Sequence, residues 1–240
     1  MAAVRRYDIL DTPPDGAFDR ITAIAARRFD VPISIISIVD HDRIWFKSHH
    51  GLDVEEIGRD PGLCASAILS EDAHVLVDAS TDPRSLANPL VAGDFGLRFY
   101  ASVPLRTSDG FNLGTLCVID RKPRPIEQGQ IDDLTDLASL VVDQLELRLA
   151  ARRAIAQAEL MAREIDHRIM NSLQFVAGLL SMQSRSAGDD EVASQLTQAA
   201  TRVAAVARVH RNFYSGDSDE VSCITFLTRL CADLSDICGV

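Results

Sequence analysis

Residues 33–39 read Ile-Ser-Ile-Ile-Ser-Ile-Val, and this run sets the fold class of the first half of the chain. β-branched side chains pack well on a pleated surface, so the run predicts a strand in the centre of a sheet. A Pro-Pro-Asp-Gly turn at 13–16 lies upstream, and four apolar residues follow it at helical spacing: Phe18, Ile21, Ala25 and Phe29. We therefore predict a helix that leads into a central strand.

Strand signals continue downstream to about residue 125. A second strand carries Trp45 and Phe46, and further strands are predicted at 74–78, 99–106 and 113–120. The loop between the last two contains Asp109-Gly110, a dipeptide typical of a hairpin turn. Segments with helical periodicity thus alternate along the chain with segments of strand periodicity, which is an α+β or α/β pattern.

The chain from Ile126 onward contains no proline and follows helical spacing throughout. A stripe that starts at Ala138, Val142, Leu145 and Leu149 predicts a signalling linker helix over residues 138–160, which leaves the first domain and enters the second. Two further helices follow, the first from about 159 to 185, and a break at 186–190 separates them. A last apolar helical segment is predicted at 223–237.

The two helices after the linker have the pattern of a bundle. The first carries Ile165, Ile169, Val176 and Leu180 toward one side, and the second carries Val192, Leu196, Ala199, Val203, Val206, His210 and Phe213. A short connection between long amphipathic helices makes an antiparallel hairpin, which buries only part of its own stripe. We therefore expect an all-α hairpin that pairs with a second copy into a dimeric four-helix bundle.

Three arginines, Arg148, Arg152 and Arg153, interrupt the apolar stripe of the linker. We expect them to weaken the seam between the two modules, so that an event in the first domain becomes a rotation or bend of the helix. On this hypothesis, replacing them with leucine locks the output.

Composition excludes several classes of partner. The 240 residues are 47% hydrophobic and 25% charged, with a net charge of −11, which disfavours a phosphate backbone or an anionic membrane as partner. No window has the roughly 18 to 20 apolar residues of a spanning helix, and the N-terminus lacks the apolar stretch of a signal peptide. We therefore expect a cytoplasmic protein. Its five cysteines are an odd number and form no C-x-x-C pair, so we expect reduced thiols.

His167 is the main candidate for chemistry. It lies two residues from both Ile165 and Ile169, about 200° around the helix axis from each, so its imidazole is predicted to face solvent. His210 lies on the apolar stripe and is expected in the core.

A solvent-facing imidazole attacks a phosphoryl group when one ring nitrogen has a free lone pair and a neighbour takes the proton from the other. Asp166 or Glu164 is the expected carboxylate for His167. Arg168 and Asn171 lie within about one turn, where they can neutralise charge and position the phosphoryl group.

Residues 166–174, Asp-His-Arg-Ile-Met-Asn-Ser-Leu-Gln, together with Leu-Leu-Ser-Met-Gln at 179–183 and Arg-Val-Ala-Ala-Val-Ala-Arg-Val-His at 202–210, resemble the phosphoacceptor module of histidine kinases related to the HWE class. The resemblance covers about residues 158–216 and implies a dimerisation and histidine phosphotransfer domain. It implies that His167 is the acceptor and that Asn171 helps orient attack or hydrolysis. The family commonly has Lys-Asn-Asn where this chain has Met-Asn-Ser at 170–172, so a cation near the acceptor is lost.

The first region, residues 1–148, resembles a GAF domain of the type placed before such kinases. The similar segments are 5–14, 45–48, 82–84, 88–91 and 113–120. The resemblance implies an antiparallel sheet flanked by helices, which makes the fold class α+β, and a sensory role; the sequence does not identify a ligand. Cys64 and Cys117 are expected to be packing residues, and His49 and His50 point to opposite sides of a strand, so no metal site is predicted.

The kinase resemblance implies ATP with magnesium as the phosphoryl source, bound by a further domain. No residues after Cys223 supply the motifs of that domain, so we expect residues 221–240 to open a truncated ATP-binding domain and the fragment alone to be inactive.

Three functional hypotheses follow. The first is a sensor histidine kinase that is autophosphorylated on His167 and passes the phosphoryl group to an aspartate of a response regulator. The second is a naturally short, non-catalytic histidine phosphotransfer dimer. The third is a sensory scaffold in which His167 is an ordinary surface histidine.

Overall fold

A computed structural model describes residues 2–60, 62–83 and 85–214, with side chains up to residue 210. The chain divides into two compact units, Met1–Arg152 and Arg153–Val240. The predicted segment 223–237, the assignment of 221–240 and the side chain of Phe213 lie outside the described residues.

The first unit contains one antiparallel sheet with helices on both faces. Its strands are β1 (Ile33–Val39), β2 (Arg43–His50), β3 (Glu56–Gly58), β4 (His74–Leu76), β5 (Phe99–Arg106) and β6 (Asn112–Asp120), in the spatial order β3-β2-β1-β6-β5-β4. Its complete helices are α1 (Ala2–Tyr7), α2 (Gly16–Phe29), α3 (Leu63–Ala67) and α4 (Pro89–Ala92). Every neighbouring pair of strands is antiparallel, which confirms the predicted α+β class.

The β-branched run at 33–39 forms β1, which lies between β2 and β6 and is buried along its whole length. The expected hairpin joins β5 and β6, and Gly110 adopts a φ of +86°, which a residue without a Cβ accepts at no steric cost. The strand predicted at 74–78 ends earlier, at Leu76.

Two apolar layers sandwich the sheet. One face packs against α2 and the first turns of α5 (Gln128–Ser186), with Phe18, Ala25, Leu134, Val141 and Leu145 in its core. The other face packs against α3 and α4, with Ile35, Phe46, Leu63, Leu97 and Cys117 in its core.

The linker and the helix predicted at 159–185 are one element, because α5 runs for 59 residues. Residues 150–163 read Ala-Ala-Arg-Arg-Ala-Ile-Ala-Gln-Ala-Glu-Leu-Met-Ala-Arg, which are strong helix formers without a proline or glycine to end the helix. The separation of two helices near residue 159 was therefore wrong.

The second unit contains the predicted hairpin of α5 and α6 (Asp190–Tyr214). Asp189 caps α6 by accepting a hydrogen bond of 2.8 Å from the backbone N–H of Glu191. Half-buried or buried positions face the hairpin core: Asp166, Met170, Leu173, Ala177, Leu180, Leu196, Ala200, Val203 and Ala207.

The apolar stripes of the hairpin do not all face this core. Ile165, Ile169 and Val176 on α5, and Val192 and Val206 on α6, are exposed, although Leu180 and Leu196 are half-buried. The 3.6-residue period separates the two groups, since Ile165 stands about 100° around the axis from Asp166. The hairpin thus carries a second apolar face that it does not cover itself.

Within the described chain, no helix is both long and apolar enough to cross a bilayer.

Candidate functional site

His167 lies on the exposed side of α5, as its spacing predicted. The apolar Ile165 and Ile169 are about 200° away around the helix axis. Both isoleucines are exposed as well, so a partner that covered them would leave the imidazole accessible to a reagent or to another domain.

The imidazole of His167 has one close side-chain neighbour on its own helix. Nδ2 of Asn171, one turn later, lies 3.4 Å from Nδ1 of His167. If the amide nitrogen donates, the ring proton is on Nε2; if the amide is turned so that its oxygen accepts, the proton is on Nδ1 and Nε2 keeps a free lone pair. The orientation of the Asn171 amide and the tautomer of the His167 ring are therefore coupled.

Charged side chains flank the imidazole on the same exposed surface. Glu164 accepts hydrogen bonds from Arg168 at 3.0 Å from Nε and 2.5 Å from the guanidinium end, and both side chains are largely exposed. This pair places a carboxylate and a guanidinium within one turn of His167. Neither Glu164 nor Asp166 forms a hydrogen bond with the His167 ring in the described part of the chain.

Asp166 faces the opposite helix of the hairpin. Its Oδ1 lies 4.0 Å from Nε2 of His210 on α6, and both side chains are half-buried. The structure thus brings His167 together with Asn171, Glu164 and Arg168, and turns Asp166 toward His210. Sequence reasoning missed this pairing, because it placed Ile165 and Ile169, and not Asp166, on the inward-facing stripe of the helix.

The first unit has an apolar cavity of about 120 Å³ between the sheet and α3. Cys64 and Cys117 line it, and both are buried free thiols, which agrees with their expected packing role. The hydroxyl of Tyr100 donates to Sγ of Cys64 at 3.4 Å. A hydrogen bond with Cys64 and burial hold the pKa of Cys117 well above its ordinary value, and burial does the same for the pKa of Tyr100.

A larger polar cleft of about 590 Å³ lies beside β2 and the turn after α1. Trp45 is only 7% exposed and packs in the core. The buried amine of Lys47, which sequence reasoning missed, donates to Oγ1 of Thr12 at 2.8 Å and to the carbonyl of Pro13 at 2.7 Å. Burial lowers the pKa of Lys47. These contacts hold the N-terminal segment on the sheet.

In the part of the chain that the structure describes, no cluster of three or more His, Cys, Asp or Glu side chains could hold a metal ion.

Two family models match the chain. The GAF domain model matches residues 13–149, more than half of the 240 residues, and a model described as histidine kinase matches residues 164–238. The second match runs through most of the segment 221–240, whose assignment to an ATP-binding domain stays a prediction.

Two curated proteins are similar to parts of the chain. A cyclic di-GMP phosphodiesterase of Pseudomonas aeruginosa is 42% identical over 145 residues, which cover 60% of this chain and 25% of that protein. The sensor histidine kinase PdtaS of Mycolicibacterium smegmatis is 31% identical over 103 residues, which cover 43% of this chain and 20% of that protein. The aligned residues thus span only a quarter and a fifth of the length of these relatives.

Among solved structures, the GAF domain of Thermosynechococcus elongatus PixJ in its blue-light absorbing form has a TM-score of 0.47 and 16% identity. The match covers 64% of this chain and 92% of that one.

Proposed function

Because the chain belongs to the GAF domain family and carries a match to the histidine kinase family behind that domain, we propose that it is the sensory and phosphoacceptor part of a two-component sensor histidine kinase. The observation that carries the proposal is the exposed imidazole of His167, with the amide of Asn171 at Nδ1. In this proposal the protein acts in the cytoplasm, where ATP and the response regulator are available.

The first proposed step is the choice of tautomer. With the amide of Asn171 turned so that its oxygen accepts from Nδ1–H, the Nε2 lone pair of His167 points away from the helix. Nε2 then attacks the γ-phosphorus of ATP, the bond from phosphorus to the bridging oxygen breaks, and ADP leaves. ATP with magnesium is bound by a separate domain, and we assign no residue of the described chain to that site.

The second proposed step moves the proton and the developing charge. Glu164 lies one turn before His167 and takes the Nδ1 proton once the ring has left Asn171 and the pair with Arg168 has opened, which frees the guanidinium to face the phosphoryl oxygens. Asp166 is the less suitable acceptor, because it is directed toward His210. The phosphoryl group of phosphorylated His167 is then transferred to an aspartate carboxylate of the response regulator.

The second apolar face of the hairpin supports the proposed homodimer. Ile165, Ile169 and Val176 form an exposed stripe on α5, and a second copy of the chain is the partner that buries the same stripe symmetrically. His167 lies on the opposite side of α5 and stays accessible in such a dimer.

The test is phosphorylation by an ATP-binding domain from a histidine kinase of the same class, added to this chain with radiolabelled ATP. We expect acid-labile label on the wild-type chain, at least about a hundredfold less on His167→Ala, because the nucleophile is gone, and unchanged label on His41→Ala, which removes another exposed histidine. Label that persists on His167→Ala contradicts the assignment of the acceptor. Absence of label from all three proteins favours a sensory scaffold.

A further inference from the structure

The polar cleft beside β2 contains a buried lysine that a β-bulge directs into it. Consecutive residues of β1 pair with Phe46 and Ser48, so Lys47 between them has no partner across the ladder. Its amine points to α2, with Nζ 5.6 Å from the ring centroid of Phe18. The hydroxyl of Ser48 also points to α2, where it donates to Asp19 at 2.7 Å. Two side chains that alternate in a regular strand thus lie on one face, as a bulge allows.

The amine of Lys47 keeps one donor for a ligand. Lys47 is 4% exposed, and an ammonium group has three N–H donors. Two of them bind Oγ1 of Thr12 and the carbonyl oxygen of Pro13, at 2.8 and 2.7 Å. Within the described chain the third has no hydrogen-bond partner, although a buried ammonium needs acceptors to offset its lost hydration. The floor of the cleft therefore offers a buried cation to a carboxylate.

Two carboxylates of the same cleft have no cation bound to them. Asp19 and Glu55 line it, are exposed, and form no ion pair with a described residue. Burial lowers the pKa of Lys47, and the charge of Asp19 opposes this effect from beyond ion-pair distance. Asp11, also in the lining, is bound by Arg43 at 2.7 Å. The charges open to a ligand are thus one cation at the floor and two anions at the rim.

We propose that this cleft binds a free basic amino acid, with its carboxylate on Lys47 and its two cationic groups facing Asp19 and Glu55. Such a ligand has one anion and two cations, the reverse of the charges in the cleft. The volume of about 590 Å³ lies within the roughly 300–1,000 Å³ of small-molecule sites. An acidic amino acid would instead bring two carboxylates toward the carboxylates of the rim.

The cleft is separate from the apolar cavity beside Cys64. Trp45, which lines the cleft, belongs to the core on the α2 side of the sheet, and Cys64 belongs to the core on the other side. Binding in the cleft also does not depend on the proposed phosphotransfer, so failure of either proposal leaves the other standing.

Titration of the 240-residue chain with L-arginine tests the site. Trp45 is the only tryptophan of the chain, so its indole N–H signal in NMR reports on the cleft. We expect a saturable shift with a dissociation constant on the order of 0.1–1 mM. L-lysine should bind similarly and L-glutamate at least tenfold more weakly. Salt at about 1 M should weaken the binding of L-arginine several-fold, because it screens exposed charges.

Three variants locate the site. Glu55→Gln removes one rim charge, and Glu159→Gln removes the same charge from an exposed position of α5 outside the cleft. We expect Glu55→Gln to weaken the binding of L-arginine about three- to fivefold, and Glu159→Gln to bind like the wild type. Lys47→Met keeps the unbranched stem without the cation and should weaken binding at least tenfold, with thermal unfolding measured alongside to show that the variant is folded.

Several results would overturn the proposal. They are the absence of a shift with L-arginine, equal binding of L-arginine and L-glutamate, and equal binding of L-arginine by Glu55→Gln and Glu159→Gln. Because Glu55 is exposed, the last comparison decides even if Lys47→Met does not fold.

Discussion

At the residue scale, the proposed phosphotransfer depends on which nitrogen of His167 carries the proton. The contact of 3.4 Å with Asn171 joins the two side chains one turn apart on an exposed helix, where no packing fixes the amide. The Glu164–Arg168 pair is equally exposed, and exposed pairs contribute little to stability. In the proposed phosphotransfer, these exposed side chains are free to rearrange around the phosphoryl group, and they contribute little to the stability of the fold.

Substitutions of Asn171 test this view. Asn171→Asp keeps an oxygen that can accept from Nδ1–H, so we expect phosphorylation of His167 at or above the wild-type rate. Asn171→Leu loses the acceptor, and we expect a rate roughly fivefold lower, since one hydrogen bond biases the tautomers by about 1 kcal/mol. The measurement is the initial rate of labelling at equal ATP.

Gln174→Leu is the matched control, because Gln174 is also exposed on α5 but one turn further from His167 than Asn171. Equal rates for Asn171→Leu and Asn171→Asp would argue against control of the tautomer.

At the scale of elements, α5 is bound to the N-terminal segment by the arginines that interrupt its stripe. Arg148 pairs with Asp15 and lies over the ring of Phe18, 4.8 Å from its centroid. Arg152 pairs with Asp8 at 2.8 Å. Both side chains bind partners inside the first unit. The expectation that these arginines weaken the seam between the modules stays a prediction.

A double-mutant cycle tests the contact between Arg148 and Asp15. Asp15→Asn keeps a side-chain oxygen for the cap on Ala17, where the present hydrogen bond is 2.8 Å, and removes only the charge. We expect a coupling of about 0.5–1 kcal/mol with Arg148→Ala in the free energy of unfolding, measured by urea denaturation.

Arg153→Ala serves as the control, because Arg153 is exposed and forms no ion pair with a described residue; its effect should stay within about 0.5 kcal/mol. A coupling free energy near zero would mean that the Arg148–Asp15 pair does not hold α5 against the N-terminal segment in solution.

At the scale of the whole molecule, the hairpin of α5 and α6 is incomplete by itself. Its own core takes up one stripe of each helix, and Ile165, Ile169, Val176, Val192 and Val206 remain in water. An exposed stripe of this kind marks an interaction surface in a soluble protein. The proposed homodimer removes it from water, and the helical period keeps His167 outside the contact.

Light scattering tests the dimer directly. The chain has a mass of 26.2 kDa, so we expect about twice that mass for the wild type in solution. Ile169→Glu places a charge in the proposed contact and should weaken the dimer at least a hundredfold, toward a monomer. Gln174→Glu adds the same charge on the exposed side away from the stripe and should leave the mass unchanged. A monomeric wild type, or a dimer of Ile169→Glu with wild-type affinity, would contradict the assigned surface.

The sequence by itself determined the features that depend on local preference and period. The β-branched run at 33–39 became the central strand β1, the Asp109-Gly110 dipeptide marked the hairpin, and spacing along α5 put His167 on the exposed side. Such features are readable because φ/ψ preferences and side-chain direction repeat every two or 3.6 residues.

Only the tertiary structure decided which distant residues meet. Arg148 and Asp15 are 133 positions apart, Asp166 faces His210 on the other helix, and the cavity beside Cys64 and Cys117 is bounded by residues from several strands and helices. No periodicity encodes such pairs, because contacts and voids of this kind depend on how whole elements pack against one another.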